Sequence, residues 1–222
     1  MTLISGNEED LSLSYRLTVI VENTKDFTEL ELAKATAVAV TDFVFENLSE
    51  DHSENWDIWS NGRFGKLLKR LNTKDFNKLQ DNVTGKQYSF DNIHLYLVEP
   101  MLQSEMPTLL KRAQISNMTI LPPVKTDVES ESSVAPLIEI FLNEDLNMSP
   151  GKSSIAAAHS LQVLVKNNEV TLEEALNRDN VRVVFTKISE ELKASCKAVI
   201  NDAGLTEVIP GSTTSCARVN RV

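Results

Sequence analysis

Two stretches of the chain share one rhythm of apolar and polar positions. Tyr15 to Val21 (YRLTVIV) is β-rich and mostly apolar, the mark of a central strand. After the loop that follows, Leu32, Ala35, Ala39, Phe43 and Val44 recur at helical spacing, predicting a helix from about Glu29 to Leu48. Pro136 to Leu142 is a second apolar run, and a turn at Leu146–Gly151 leads from it into a helix reaching about Val165.

Between these units, Arg63 to Leu71 (RFGKLLKRL) fits either a helix, through Leu67, Leu68 and Leu71, or a strand, which the wider pattern favours. Its basic residues Arg63, Lys66, Lys69 and Arg70 read as a solvated face, the usual fate of a charge run. Short helices are expected at Thr73–Gln80 and Glu105–Ala113. One alternating strand is expected at Tyr88–Val98, with His94 packing on it, and a further strand at Met118–Leu121. Pro122 to Ala135 loses apolar periodicity in a Pro-, Ser- and Glu-rich run, which reads as a linker. Beyond it come a short helix at Thr171–Asn177, a strand at Val181–Ile188, a helix capped by Ser189 and a last strand at Ser215–Val219. Ala198–Ile200 fits helix or strand.

The predicted organisation is a tail at 1–13, a domain at 14–121, a linker at 122–134 and a domain at 135–222. Charge narrows the partners. Residues 1–133 carry 13 basic and 21 acidic side chains, and residues 134–222 carry 9 and 11, which leaves −8 and −2 of the total −10. Neither half is the basic body that holds nucleic acid by bulk electrostatics. The opening residues show no signal peptide, and the best apolar window, Ala35 to Phe45, is too short to span a bilayer. Cys196 and Cys216 form neither a metal spacing nor a disulfide framework, so a cytoplasmic setting is expected, without cofactor, metal or membrane.

Candidate chemistry lies in two places. Ser149 suits a helix N-cap and Pro150 the first helical position. Gly151 and Lys152 then fall in the first turn, where free N–H groups and the helix dipole favour an anion. An exposed lysine there opposes the dipole at a cost of roughly 0.3–1 kcal/mol and is better placed beside bound negative charge. Downstream, Asp202 offers a carboxylate and Thr206 and Thr214 offer hydroxyls, with turns at Gly204 and at Pro210-Gly211.

Taken together, these motifs resemble the type 2 peptidyl-tRNA hydrolases. That family shows a strand, D-L-x-M-x-x-G-K, a helix whose face carries a histidine, and then D-A-G-x-T-x-x-x-P-G-[ST]-x-T. Asp145, Leu146, Met148, Gly151, Lys152 and His159 match the first motif. Asp202, Ala203, Gly204, Thr206, Pro210, Gly211, Ser212 and Thr214 match the second. Ala156 stands where the family commonly has glutamine, Asn143 where it often has arginine, and the span from Ile188 to Asp202 is short.

The resemblance implies α/β domains, each a mixed four-stranded sheet flanked by helices. It implies cleavage of the ester joining peptide to tRNA, with Lys152, Asp202, Thr206 and Thr214 catalytic and Ser149, Gly151 and Ser212 binding substrate. At an offset of 121 the first unit aligns with the second, so Phe27 falls at Met148, Leu30 at Gly151, Glu31 at Lys152 and Val38 at His159. Residues 14–121 thus read as a degenerate copy lacking the lysine. The family's habit of forming homodimers implies either a homodimer or a pseudo-dimer within this chain. The rival expectation is a binding or assembly protein that keeps the fold without the reaction, and hydrolysis of another small ester or amide is a third.

Overall fold

Seven of the eight residues of β1 (Tyr15–Glu22) are buried, so this strand must be covered on both faces and at both edges. The computed structural model, which describes residues 15–24, 27–49, 52–62, 64–115, 136–202 and 208–221, puts it inside a mixed sheet. β2 (Lys66–Leu71) runs parallel to it on one side and β4 (Ile93–Leu102) antiparallel on the other. β3 (Gly85–Phe90) lies outside β4, and the two-residue β5 (Gln114–Ile115) outside β2. The helices of this half are α1 (Glu29–Ser49), α2 (Glu54–Asn61) and the short α3 (Thr73–Phe76), α4 (Leu79–Asn82) and α5 (Thr108–Arg112).

The second half repeats this plan. β6 (Ile138–Asn143) is central, with β7 (Val181–Thr186) parallel on one side and β9 (Thr213–Val219) antiparallel on the other. β8 (Ala198–Asn201) lies outside β9. Helices α6 (Pro150–Lys166), α7 (Leu172–Leu176) and α8 (Glu190–Ser195) complete it. The order β3-β4-β1-β2 of the first sheet therefore reads onto β8-β9-β6-β7 of the second. The 121-residue offset also holds at the element ends: β1 ends at Glu22 and β6 at Asn143, while α1 begins at Glu29 and α6 at Pro150.

The two halves meet through α1 and α6, which pack along one another more extensively than any other pair of helices. Small side chains make this close approach possible. Ala33, Ala37 and Val38 of α1 enter the core under β6, and Ile155 and Ala158 of α6 enter the core under β1. Each half thus seals the other's apolar interior. A third cluster, around Ile20, Leu79, Tyr96 and Leu110, closes the opposite face of the first sheet.

Several expectations are corrected. The first sheet has five strands, because the chain after α5 turns back along β2 as β5. The alternating run at 88–98 is a hairpin and not one strand: Asp91, at φ 50°, turns the chain between β3 and β4. His94 lies across that hairpin from Ser89, with its Nδ1 3.0 Å from the serine hydroxyl. The helix expected at Glu105–Ala113 contracts to α5 and a preceding 3₁₀ turn, while the strand expected at Met118–Leu121 and the linker lie outside the described residues. Trp56 and Trp59 are buried on α2. The basic run is the strand β2, yet Lys66, Lys69 and Arg70 are buried instead of solvated. A strand flanked on both sides cannot turn every charge to water. Among the described residues no helix is long and apolar enough to cross a membrane.

Candidate functional site

The end of β6 and the start of α6 are held by local polar contacts. Asn143 accepts the Asp145 N–H at 3.1 Å and donates its side-chain amide to the Thr213 carbonyl at 2.9 Å, tying β6 to the start of β9. A 3₁₀ turn over Glu144–Leu146 ends at Asn147, whose φ of 44° suits asparagine better than most residues. Ser149 then caps α6 with extended backbone, its hydroxyl accepting the Lys152 N–H at 3.3 Å, and Pro150 follows at the first helical position. Ser149 and Gly151 are buried beside Lys152.

Asp202 arrives from the other end of the half and is fixed by its backbone. Its N–H donates to the Ser212 carbonyl at 2.8 Å, and its carbonyl accepts the Gly211 N–H at 2.8 Å. The intervening turn is closed by the Ser212 N–H on the Ile209 carbonyl at 3.1 Å, with Gly211 at φ +84°, a conformation that favours glycine. Its carboxylate forms an ion pair with the Lys152 ammonium, and the two side chains are only 15% and 7% exposed. The two motifs, separated by 50 residues, therefore meet at one point.

The other predicted residues divide. Ser212 contributes through its backbone, as just described. Thr214 is buried in β9 and donates its hydroxyl to the Ile200 carbonyl at 3.2 Å, so in this structure its proton joins β9 to β8. Thr206 lies outside the described residues, as do Ala203 and Gly204. His159, two turns along α6 from Lys152, faces the other half: its Nδ1 is 3.4 Å from the Lys66 ammonium nitrogen. Burial pushes His159 well below the usual histidine range, and the charges of Lys66 and then Lys152 push in the same direction.

The counterpart of this site in the first half is built differently. Glu31, at the position of Lys152, reaches back to the Thr28 N–H at 2.6 Å while its own N–H donates to the Thr28 hydroxyl at 3.2 Å. That is a capping box, and it turns the side chain onto its own helix. Register places Phe90 of β3 where Asn201 stands: Phe90 pairs with Ile93 and Asn201 with Thr213, two residues before Leu95 and Ser215, which hold equivalent places opposite Val21 and Leu142. The residue after it, Asp91, is the counterpart of Asp202, and its carboxylate pairs with Arg178 of the second half at 3.0 Å.

Sequence reasoning missed the neighbourhood of Lys66. Its ammonium nitrogen lies 3.7 Å from the Phe64 ring centre and 5.0 Å from that of Trp59. Burial pushes Lys66 well below the usual lysine range. The available signal was a lysine at alternate spacing with Leu68 in a strand lying beside two tryptophans.

Among the described residues no group of three His, Cys, Asp or Glu is placed to hold a metal ion, and both cysteines are free thiols. Chemically, the Lys152–Asp202 pair puts a carboxylate able to accept a proton beside a cation able to meet an oxyanion, at a helix N-terminus. No protein-family model matches the chain, and neither curated proteins nor solved structures show a match.

Proposed function

We propose that the chain hydrolyses the ester between peptide and tRNA in peptidyl-tRNA, using the second half. The observation that carries this reading is the contact between Lys152 and Asp202, which brings the two family-like motifs together at the start of α6. In the proposed reaction Asp202 takes a proton from a water as its oxygen attacks the ester carbonyl. Charge develops on the carbonyl oxygen and is met by Lys152 and the first-turn amides of α6. The proton then passes to the departing ribose oxygen. Ser149 and Gly151 shape the helix start, Ser212 holds Asp202 in place, and Thr206 and Thr214 complete the family-like set. The first half acts as the packing partner that makes the chain an internal pseudo-dimer, in a cytoplasmic setting and without cofactor.

One observation favours the rival reading, a binding or assembly protein that keeps the fold without the reaction. The Thr214 hydroxyl is engaged by Ile200, on a chain whose net charge of −10 gives a polyanion little general attraction. The two readings separate in one assay, incubation of the purified protein with peptidyl-tRNA while free tRNA is measured. Release that is lost in Asp202→Ala supports hydrolysis. No release at stoichiometric protein, beside an active control hydrolase, overturns it and leaves the binding reading.

A further inference from the structure

The environment of Lys66 is built from both halves of the chain and is unlike its counterpart. Leu17 pairs with Lys66 across β1 and β2, and Ile138, 121 residues after Leu17, pairs with Val181 across β6 and β7. Val181 is therefore the counterpart of Lys66, just as Val38 is that of His159. Val38 and Val181 both belong to the apolar core of the second half. The fold closes at this position with two valines, so neither the lysine nor the histidine is required for packing.

The local geometry is also specific. Phe64 has φ 54°, an uncommon and strained value for a bulky residue. This conformation stacks its ring on Trp59, centre to centre at 4.1 Å, and sets the Phe64 carbonyl 3.4 Å from the Lys66 nitrogen. Trp59 is anchored by its ring N–H, which donates to the Gly65 carbonyl at 2.7 Å. Among the described residues no carboxylate pairs with Lys66, and its polar neighbours are that carbonyl and His159 Nδ1 at 3.4 Å. Two ring faces compensate an ammonium only partly for lost water, so the site favours the neutral amine. Lys66 is 8% exposed, but Phe64 and His159 beside it are only partly buried, which leaves the amine one side chain from solvent.

We propose that Lys66 is a reactive amine that condenses with a small, uncharged aldehyde, with His159 moving the proton. The nitrogen lone pair attacks the carbonyl carbon and the carbonyl π pair moves to oxygen. A proton leaves the nitrogen for His159 Nδ1 and is passed to that oxygen, giving a carbinolamine. Loss of water then leaves a C=N bond, so amine and aldehyde become imine and water with no change of oxidation state. The apolar walls of Trp59 and Phe64 set the ligand class, since they offer a charged aldehyde no counter-ion. This site is independent of the Lys152–Asp202 reading and stands if that reading fails.

The test uses the full chain with limiting propanal, cyanoborohydride to trap imines, and peptide mass spectrometry to quantify the adduct on each lysine. Near pH 7, Lys66 should be labelled at least about tenfold faster than the exposed lysines, because each unit of lowered pKa gives tenfold more neutral amine. The advantage should shrink towards pH 10 as the others deprotonate. His159→Leu should keep the fold and slow the Lys66 adduct near neutral pH. Lys66→Met should keep the fold, with a thermal midpoint near pH 7 no lower than that of the unaltered chain, as the valine counterpart implies, and lose this adduct alone. Labelling of exposed lysines that spares Lys66, labelling of Lys66 at only their rate, or labelling only after denaturation would overturn the proposal.

Discussion

The starts of α1 and α6 occupy equivalent places in the two halves and use one residue position in opposite ways. At α1 the third helical residue is Glu31, which completes a capping box with Thr28. At α6 it is Lys152, which cannot cap, opposes the dipole and reaches instead for Asp202 on a different segment. The first arrangement satisfies local structure, and the second sets local preference aside to assemble a long-range polar pair. Such departures from local consistency are where functional sites are expected. A second contrast runs through the packing between halves, where Val38 and Val181 in one place face the polar pair His159 and Lys66 in the other.

Exchanging the chemistry of equivalent positions tests both contrasts. The largest effect should come from Val181→Lys, which places an ammonium in the apolar core of the second half. A loss of several kcal/mol, on the order of 3–5, is expected in denaturant unfolding. A loss below about 1 kcal/mol would mean that the second core accommodates a lysine as the first does. Lys152→Met should come next, because it strands a nearly buried carboxylate, at a cost on the order of 3 kcal/mol. Adding Asp202→Leu should recover most of that, and simple additivity of the two losses would show that the pair is not coupled. Glu31→Ala removes only a cap and should lower stability by about 1 kcal/mol.

Much of the fold was legible in these same stretches. β1, α1, β6, α6 and β7 stand out because each is long, apolar and periodic, and tertiary context had little to override. The hairpin at β3 and β4 was hidden because apolar residues continue on both sides of Asp91-Asn92, so the run reads as one strand. The burial of Lys66, Lys69 and Arg70 was illegible because charge normally stays in water. It takes the neighbouring strands, the Leu110 carbonyl 3.0 Å from Lys69 and the Gln114 oxygen 2.5 Å from Arg70, to explain them. The meeting of Lys152 and Asp202 was anticipated from motif order. The meeting of Lys66 and His159 was not, since it depends on how two halves pack.

The smallest effects concern pH. Burial holds His159 below its ordinary value of 6.5 in the folded chain, so the unfolded chain binds more protons as pH falls through that range. Stability should therefore decline below about pH 6.5, and His159→Leu should flatten that limb. Lys66 is depressed from 10.5 for the same reason, so stability should rise from neutral pH towards that value. Lys66→Met should remove the rise. A wild-type curve without either limb would contradict the buried, neutral state of the pair.

The central claim is that catalysis belongs to the second half alone, through Lys152 and its carboxylate partner. The most direct measurement is peptidyl-tRNA cleavage by two matched variants, Lys152→Ala and Glu31→Ala, whose changes fall at equivalent positions of the two helices. The account predicts a loss of at least about a hundredfold in the first, the scale of removing one oxyanion-stabilising group, and little change in the second. Equal rates in the two variants, or no cleavage by the unaltered chain, would contradict it.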